Sequence, residues 1–479
     1  MALVLVLLPI VAGFLLFVLP KEDRAVSKTI GAVVAAVTFL LTIFARDGGD
    51  FSVRWLSRPF ASNFHFNVGG VSYWIALLLA LCTFCAILAA NVPRLRSFVA
   101  LVLILEGTML GVFTARDLVA FALFWDLMLI PVFFTLAGWG EHRETAWRYI
   151  IYNFAGGLTL LLATAAFGVL YGTTDVIGTS HQLVGSWIPW IFAGFAFAFL
   201  VKTPVFPLHT WMPATYADTP SPMVAVVSAV QSKAGLYGFI VIALPFMRDA
   251  MVNSQWFFIV LGLISLLYGA YVALVQTDGK RIVAYSSLSH LGLILIAIFS
   301  FNPVALEGAI VYIVAHGLFS AALFLVLGYI EEREDTRSLV RLGGLGRANP
   351  RLAGAFTIAA LAALGLPGLA GFAGEIVILT GVFRGGLWWP ALIALVPIVI
   401  AAAYILRLLQ GMINGPEVVD LPERRDLTWI EGLALAPLLA ALVVLGINPH
   451  AVLSSALAPP TVAGSLHGHP SQLAEAERR

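Results

Sequence analysis

The chain has 479 residues, of which 60% are hydrophobic and only 11% are charged, with a formal net charge of +1. Soluble domains usually carry about 25% charged residues, whereas apolar runs long enough to cross a hydrocarbon core of about 30 Å recur along this chain. These features exclude a soluble enzyme, and no basic tract points to nucleic acid as a partner. We therefore predict an all-α polytopic membrane protein that lies in a lipid bilayer.

Counting the apolar runs in chain order predicts about fourteen transmembrane spans. The first run has no basic region or cleavage motif, so we interpret it as a retained helix and not as a signal peptide. The seventh span is interrupted at Pro204 and Pro207, and the twelfth around Pro367 and Gly371. Such interruptions occur only where the freed backbone is buried in protein or lines a wet cavity. The predicted spans lie near 2–19, 28–45, 69–91, 97–115, 117–139, 146–171, 187–212, 220–246, 255–276, 282–301, 304–330, 352–383, 387–413 and 427–447.

The loops between these spans differ in basic content. Lysine and arginine are about twice as frequent in the odd-numbered loops as in the even-numbered loops, and cytoplasmic loops are the ones that carry such an excess. Both termini are therefore predicted on the non-cytoplasmic side. The longest charged loop is expected at Glu331–Arg351, and the tail after Pro459 is expected to be loosely ordered.

Two lysines, Lys202 and Lys233, lie inside segments that otherwise read as membrane-buried. An isolated ammonium at the bilayer centre costs about 2.5–3.5 kcal/mol on insertion scales, so such residues usually serve an ion pathway. Lys202 lies beside the interruption of the seventh span, where its stem could also reach the interface, but Lys233 lies deeper. We predict that both lysines belong to a proton pathway, with a purely structural role as the alternative.

Two carboxylates lie within neighbouring spans, Asp126 in the fifth and Glu106 in the fourth. A buried carboxylate beside a lysine ionises and holds that lysine charged, whereas an isolated one stays protonated. Both are candidate pathway residues, with a hydrogen-bonded structural acid as the alternative. Lys280 opens the tenth span, where an interfacial anchor explains it equally well.

The second half of the chain carries His290 and His316 within the tenth and eleventh spans, close to serines and a tyrosine. Imidazole titrates near physiological pH, which suits proton transfer, although buried histidines can also be packing residues. Glu375 follows the interruption of the twelfth span, as Lys202 lies at that of the seventh. Spans four to eight and nine to thirteen thus repeat one pattern, and because five is odd, one set is inverted relative to the other.

This pattern predicts a domain organisation of N-terminal helices at 1–96, a first repeat at 97–246, a second at 247–413, and a last helix with a tail at 414–479. Cys82 and Cys85 form a CxxC pair, but no second pair or histidine cluster completes a metal site, so we interpret them as packing thiols. The sequence also has no flavin or dinucleotide fingerprint and no iron–sulfur cysteine set. We expect no cofactor and no metal on this chain.

Several motifs resemble one family: VKTPVFPLHTWMP, SKAGLYG, QTDGKRIVAYSSLSHLG, AHGLFSAALF and LPGLAGFAGE. They are similar to the antiporter-like membrane subunits of respiratory complex I, which are related to Mrp antiporter subunits. The resemblance extends from about Leu105 to Leu409.

The resemblance implies a proton channel in which Asp126 pairs with Lys202 and Lys233 connects the two halves. It also implies that His290 and His316 lead towards Glu375. Glutamate at this last position marks one subunit type, because the other types and the Mrp subunits typically carry lysine. This chain has aspartate in its FWD motif where the family usually has glutamate, so the shorter side chain requires a closer helix approach or a bridging water.

The resemblance further implies a subunit of a proton-translocating NADH-quinone oxidoreductase in a bacterial-type cytoplasmic membrane. Its partners would be neighbouring antiporter-like subunits, with flavin and iron–sulfur clusters on other subunits. Three alternatives stay open: a subunit of a Na⁺/H⁺ antiporter or of an ion-pumping hydrogenase-type complex, a structural membrane spacer, and a secondary transporter for an organic substrate. The last lacks an obvious set of substrate-recognition residues.

Overall fold

The computed structural model describes residues 1–19, 23–46, 49–177, 183, 185–415 and 425–456. Eleven helical stretches within these ranges are long and apolar enough to cross a membrane, and three shorter apolar helices lie at Ala2–Val18, Ile188–Lys202 and Pro350–Leu364. The chain is therefore a polytopic helical membrane protein. The count of fourteen spans, the inverted repeats and the sides of the termini stay predictions.

The N-terminal part contains helices and one β-hairpin. In chain order these are α1 (Ala2–Val18), α2 (Arg24–Phe44), β1 (Phe51–Leu56), β2 (Ser62–Phe66), α3 (Val71–Ala89), α4 (Leu95–Thr114), α5 (Leu118–Leu127), α6 (Leu129–Trp139) and α7 (Arg143–Tyr171).

The hairpin corrects the prediction of an all-α chain. β1 and β2 pair antiparallel, from Phe51 opposite Phe66 to Leu56 opposite Ser62, with an irregularity in register between Arg54 and Leu56. Phe66 is fully buried, and its ring packs edge-on against Phe124 of α5 at 5.7 Å between centroids. The hairpin thus has its own contact with the helical core, although its strands are too short to give an apolar run in the sequence.

The fifth predicted span is divided into α5 and α6, a division that its continuous apolar run does not predict. Pro131 lies in the first turn of α6 and has no backbone N–H, and its ring clashes with a carbonyl one turn earlier in a continuous helix. The helix therefore ends at Leu127 and restarts at Leu129. Asp126 lies just before this interruption.

The middle of the chain contains the most irregular helices. They are α8 (Ile188–Lys202), α9 (Met212–Asp218), α10 (Ser221–Ala229), a 3₁₀ turn (Gln231–Lys233), α11 (Ala234–Gly238), a π-helical turn (Phe239–Ala243), α12 (Leu244–Phe246), α13 (Arg248–Asn253), α14 (Gln255–Val275), α15 (Gly279–Phe299) and α16 (Pro303–Glu334). The predicted interruption of the seventh span lies between α8 and α9, after Lys202. The eighth span, predicted as one helix, is instead a series of short segments, and Lys233 lies in the 3₁₀ turn. α16 continues to Glu334, so the predicted loop at Glu331–Arg351 begins later than expected.

The last part contains α17 (Leu345–Ala348), α18 (Pro350–Leu364), α19 (Ala370–Arg384), α20 (Trp388–Leu409), a π-helical turn (Gln410–Asn414), α21 (Trp429–Ile447) and α22 (His450–Ala456). The predicted interruption of the twelfth span separates α18 from α19. Gly365 and Gly368 in this gap have φ of +78° and +94°, which other residues rarely adopt. The predicted tail after Pro459 lies outside the described residues.

The helices differ in how deeply they lie within the protein. In Ser221–Phe246 and in α16, all residues of the 18-residue apolar stretch that could span the membrane are buried, and in α15 94% of them are buried. In contrast, only 22% of the residues in the corresponding stretch of α21 and 28% of those in α2 are buried, so these helices present apolar side chains outwards. Lys233, His290 and His316 therefore lie on central helices, away from the surface that would contact lipid.

Candidate functional site

Lys202 is the last residue of α8, and its ammonium is almost completely buried. Its Nζ lies 4.9 Å from the centroid of the Trp125 ring, a distance at which a cation is attracted to an aromatic face. Within the described residues Nζ has no hydrogen-bond acceptor, and Asp126 Oδ1 likewise has no donor. The two groups therefore do not form a direct hydrogen-bonded ion pair.

The carboxylate of Asp126 lies against α7 at a glycine. A Cβ atom on Gly157 would lie 1.8 Å from Asp126 Oδ1, so only glycine leaves room for the acid here. Asn153, one turn earlier on α7, is fully buried and its Oδ1 also lacks a partner within the described part of the chain. Unpartnered buried polar atoms are costly, so a cluster of them indicates a site that can accommodate water or protons.

Lys233 is fully buried in the 3₁₀ turn and is bound by nearby serines. Its Nζ donates to the carbonyl of Ser228 and lies 3.3 Å from Ser232 Oγ. The Ser228 hydroxyl in turn bonds to that of Ser320 on α16. Ser320 lies four residues after His316, on the same helix face, so Lys233 is linked to the histidine-bearing helix.

The same 3₁₀ turn also contacts the first half of the chain. Gln231 Nε2 donates to the hydroxyl of Tyr149 on α7 at 2.9 Å and lies 3.3 Å from the carbonyl of Met128. Met128 lies at the interruption between α5 and α6, two residues after Asp126. The short helices of the eighth span therefore join the Asp126 region to α16.

His290 of α15 and His316 of α16 lie side by side, with ring centroids 5.5 Å apart. Both are buried, and within the described residues neither nitrogen of His316 nor Nδ1 of His290 has a hydrogen-bond partner. The ring of Tyr312 lies 5.7 Å from that of His290. The predicted pair of histidines is thus one contiguous group.

Tyr312 connects this group to Glu375. Its hydroxyl donates to Glu375 Oε1 at 2.5 Å, a short hydrogen bond typical of a charge-assisted contact. The other carboxylate oxygen faces the backbone at Gly365, where a Cβ would lie 2.3 Å from Oε2. The interruption between α18 and α19 therefore shapes the pocket that holds Glu375.

Two predicted site residues lie apart from this group. Glu106 is fully buried in α4, and both of its carboxylate oxygens lack hydrogen-bond partners within the described ranges. Lys280 is 3% exposed and forms an ion pair with Glu331 at 2.6 Å, so its charge is balanced at the end of α16. Neither makes a hydrogen bond or ion pair to the other two candidate lysines, to the histidines or to Glu375.

Sequence reasoning did not single out Ser228, Ser320, Gln231 or Trp125, although the structure places them between the candidate residues. A polar side chain within an apolar, buried span is the signal that could have found the serines and the glutamine. Cys82 and Cys85 are buried free thiols. The one grouping of potential metal ligands found within the described residues is instead Glu141, His142 and Asp218, of which the first two are exposed.

Comparison with known proteins gives consistent matches. A family model described as NADH:quinone oxidoreductase/Mrp antiporter, TM, matches residues 115–401. NADH-quinone oxidoreductase subunit M of Rhodobacter capsulatus is 32% identical over 94% of this chain and 93% of its own. A chain of respiratory complex I from Thermus thermophilus with bound NADH has a TM-score of 0.88 and 32% identity, covering 98% of this chain and 100% of that one. A chain of the Mrp complex from Dietzia sp. has a TM-score of 0.83 at 22% identity, covering 98% and 99%, which shows a shared fold.

Proposed function

Because the chain belongs to the NADH:quinone oxidoreductase/Mrp antiporter family of membrane proteins, we propose that it is the M-type membrane-arm subunit of a proton-translocating NADH-quinone oxidoreductase. The full-length similarity to subunit M of Rhodobacter capsulatus supports this assignment, as does glutamate at position 375. Neighbouring antiporter-like subunits would be its partners in the membrane. The flavin and iron–sulfur clusters of the complex would lie on other subunits.

One observation carries the proposal: a series of titratable side chains, all buried except the partly exposed Asp126, runs through the protein. We call it the polar series; it comprises Asp126, Lys202, Lys233, His316, His290, Tyr312 and Glu375. Several of its atoms lack hydrogen-bond partners in the part of the chain that the structure describes. A purely structural ion pair would satisfy its own groups, whereas a proton pathway needs atoms that can exchange partners.

In the first half of the proposed cycle, the Asp126 carboxylate favours the charged form of Lys202, because opposite charges stabilise each other in a buried site. A charge change relayed from a neighbouring subunit weakens this interaction. Desolvation then favours the neutral amine, and Lys202 releases its proton towards Lys233. Bridging water molecules would complete the contacts that Lys202 and Asp126 do not make directly.

In the second half, the proton passes from Lys233 through His316 and His290 to Glu375. The two imidazoles are 5.5 Å apart between centroids, so water would also bridge this step. The Tyr312 hydroxyl holds the Glu375 carboxylate in place to receive the proton. Under the predicted orientation, Glu375 releases it to the non-cytoplasmic side.

Replacing Lys202 by methionine in the assembled complex tests the proposal. Methionine keeps the apolar stem but removes the proton-binding amine, so proton transfer through this subunit should slow by about a hundredfold. The measurement is the number of protons translocated per quinone reduced, in vesicles with equal amounts of assembled complex. Undiminished proton translocation would contradict the proposal.

Lys28→Met serves as the matched control. This lysine lies outside the polar series, where its Nζ donates to the Ala90 carbonyl at 3.1 Å. The same change of side chain there should leave the protons translocated per quinone unchanged, which separates loss of the pathway from loss of any lysine.

A subunit of a Na⁺/H⁺ antiporter or of a hydrogenase-type complex is the second candidate, because the Mrp chain of Dietzia sp. has the same fold. Glutamate at 375 in place of lysine favours the quinone reductase. Neighbouring genes for quinone-reductase subunits would support the first assignment, and neighbouring genes for antiporter subunits would support the second.

A further inference from the structure

The segment after α16 crosses the start of α15. The Leu339 amide donates to the Thr277 carbonyl at 2.9 Å, and the Gly279 amide donates to the Arg337 carbonyl at 3.0 Å. Asp278 and Ser338 also form an antiparallel bridge. The backbone contacts therefore hold Arg337 directly against the first residues of α15.

The Arg337 guanidinium binds three different elements. Its Nε donates to Asp278 Oδ2 at 2.6 Å, at the N-terminal cap of α15. One of its terminal nitrogens donates to Glu331 Oε1 near the end of α16 at 3.0 Å and to the Ala217 carbonyl near the end of α9 at 2.9 Å. A planar guanidinium with five donors can hold three acceptors in fixed directions, which a lysine cannot do.

Glu331 belongs to a second ion pair as well. Its Oε2 lies 2.6 Å from Lys280 Nζ, so one carboxylate is shared between Arg337 and a lysine that is only 3% exposed. An open cavity of about 420 Å³ brings solvent to the edge of this group. Since solvent weakens exposed ion pairs, the main contribution of Arg337 is the geometry that it imposes.

The three elements that Arg337 joins either follow or carry members of the polar series. α9 comes after the interruption that adjoins Lys202, α15 carries His290, and α16 carries His316 and Tyr312. We propose that Arg337 is a positioning residue that couples the Lys202 half of the polar series to the histidine half by fixing α9 against α15 and α16. This inference rests on the proposed function of the polar series.

Removal of the guanidinium would break all three of these contacts. Asp278 loses its hydrogen bond to the guanidinium, Glu331 keeps only Lys280, and the Ala217 carbonyl loses a donor. α9 then keeps only its packing contacts with α15 and α16, such as that between the rings of Tyr216 and Phe324 at 5.6 Å between centroids, so the two halves are aligned less precisely. Electron transfer should continue, because it takes place on other subunits, while proton translocation through this subunit becomes inefficient.

Arg337→Gln in the complete complex tests the inference, with Arg341→Gln as the matched control. Arg341 lies in the same segment, and the structure gives its side chain a hydrogen bond to Thr336 Oγ1 at 2.7 Å. The measurement is protons translocated per quinone reduced, at equal amounts of assembled complex. We expect this subunit's contribution to fall by about tenfold in Arg337→Gln, as for the loss of one hydrogen bond to a charged group, and to be unchanged in Arg341→Gln.

Two further variants separate positioning from general stability. Arg337→Lys keeps the charge but cannot hold all three acceptors, so it should restore proton translocation only in part. Asp278→Asn removes one arm of the link while asparagine still caps α15, so assembly should be retained and proton translocation lowered. It replaces Arg337→Gln as the deciding variant if the latter does not assemble.

The outcomes distinguish this inference from the proposed function. Full proton translocation in assembled Arg337→Gln, or in Asp278→Asn where that variant decides, overturns the coupling role. If Lys202→Met abolishes proton translocation in the same experiment, the proposed function stands without the coupling role. If Lys202→Met has no effect, the proposed function fails first.

Discussion

At the scale of single residues, Glu375 is held by contacts to both of its carboxylate oxygens. Tyr312 donates to one carboxylate oxygen at 2.5 Å, and the backbone at Gly365 lies against the other. Hydrogen bonds to a charged group contribute about 1.5–3 kcal/mol, so this contact can fix the position of the carboxylate. Tyr312 is therefore a positioning residue for Glu375.

Tyr312→Phe should slow proton release from Glu375, because the carboxylate loses the hydroxyl that stabilises it. A loss of about 1.5–3 kcal/mol corresponds to a rate lowered by about tenfold to a hundredfold. Time-resolved proton release during quinone reduction measures it. Tyr329→Phe is the control on the same helix, outside the polar series, and equal rates in the two variants would contradict the role of Tyr312.

Residue types in the sequence indicated most of this site, but not its contacts. Lys202, Lys233 and Glu375 were identifiable because charged groups in apolar spans are costly. The absence of a direct bond between Asp126 and Lys202 could not be identified from the sequence, because it depends on how α5, α7 and α8 pack. The role of Gly157, which makes room for the Asp126 carboxylate, likewise appears only in the packed structure.

At the scale of elements, interruptions of helices lie beside several of the candidate site residues. The interruption after Lys202 was predictable, since Pro204 and Pro207 remove backbone donors there, whereas the break between α5 and α6 at Pro131 was not, because the apolar run continues through it. The 3₁₀ turn at Lys233 was not predictable either, because it contains no proline and no glycine. Its side chains bind partners on both sides, with Gln231 contacting Tyr149 and Lys233 contacting Ser228, and this tertiary bonding replaces regular helix.

The β-hairpin is tied to the chain after α7 by His65. Its Nδ1 lies 2.6 Å from Asp175 Oδ1 and its Nε2 lies 2.6 Å from Asp50 Oδ1. The hydrogen bond to Asp175 is the main reason that the pKa of His65 is raised above 6.5. Burial opposes this rise, and the hydrogen bond to Asp50 adds to it. Burial alone would raise the pKa of Asp175, but bonds to His65 and Asn63 bring it below 3.8.

These shifts predict how the hairpin responds to pH. Because the pKa of His65 is raised in the folded state, His65 stabilises the hairpin fully at pH values below its ordinary pKa of 6.5. This stabilisation is lost as the pH rises through the raised pKa of the folded state. The contribution of Asp175 is lost as pH falls through its lowered value, below 3.8. Hydrogen-exchange protection of residues 51–66 should therefore be greatest between pH 3.8 and 6.5. His65→Gln should flatten this dependence, and protection that increases in alkaline buffer would contradict it.

At the scale of the whole molecule, the buried centre and the polar series coincide. In the apolar stretches of Ser221–Phe246, α15 and α16, 94–100% of the residues are buried. These segments carry Lys233, His290, His316 and Tyr312. Hydropathy predicted the membrane class and the positions of most helices, because an apolar run of about 20 residues has the length of a helix that crosses the hydrocarbon core. It could not predict the hairpin or which helices are central, since both depend on contacts between distant parts of the chain.

Lys233 gives the most direct test of the central claim, because a structural spacer and a proton pathway differ most clearly there. Lys233→Met in complex reconstituted into vesicles should leave assembly and quinone reduction in place. Protons translocated per quinone should fall as in Lys202→Met, while Lys28→Met stays at the native value. Native proton translocation in assembled Lys233→Met would contradict a proton pathway and favour a structural role for the buried charges.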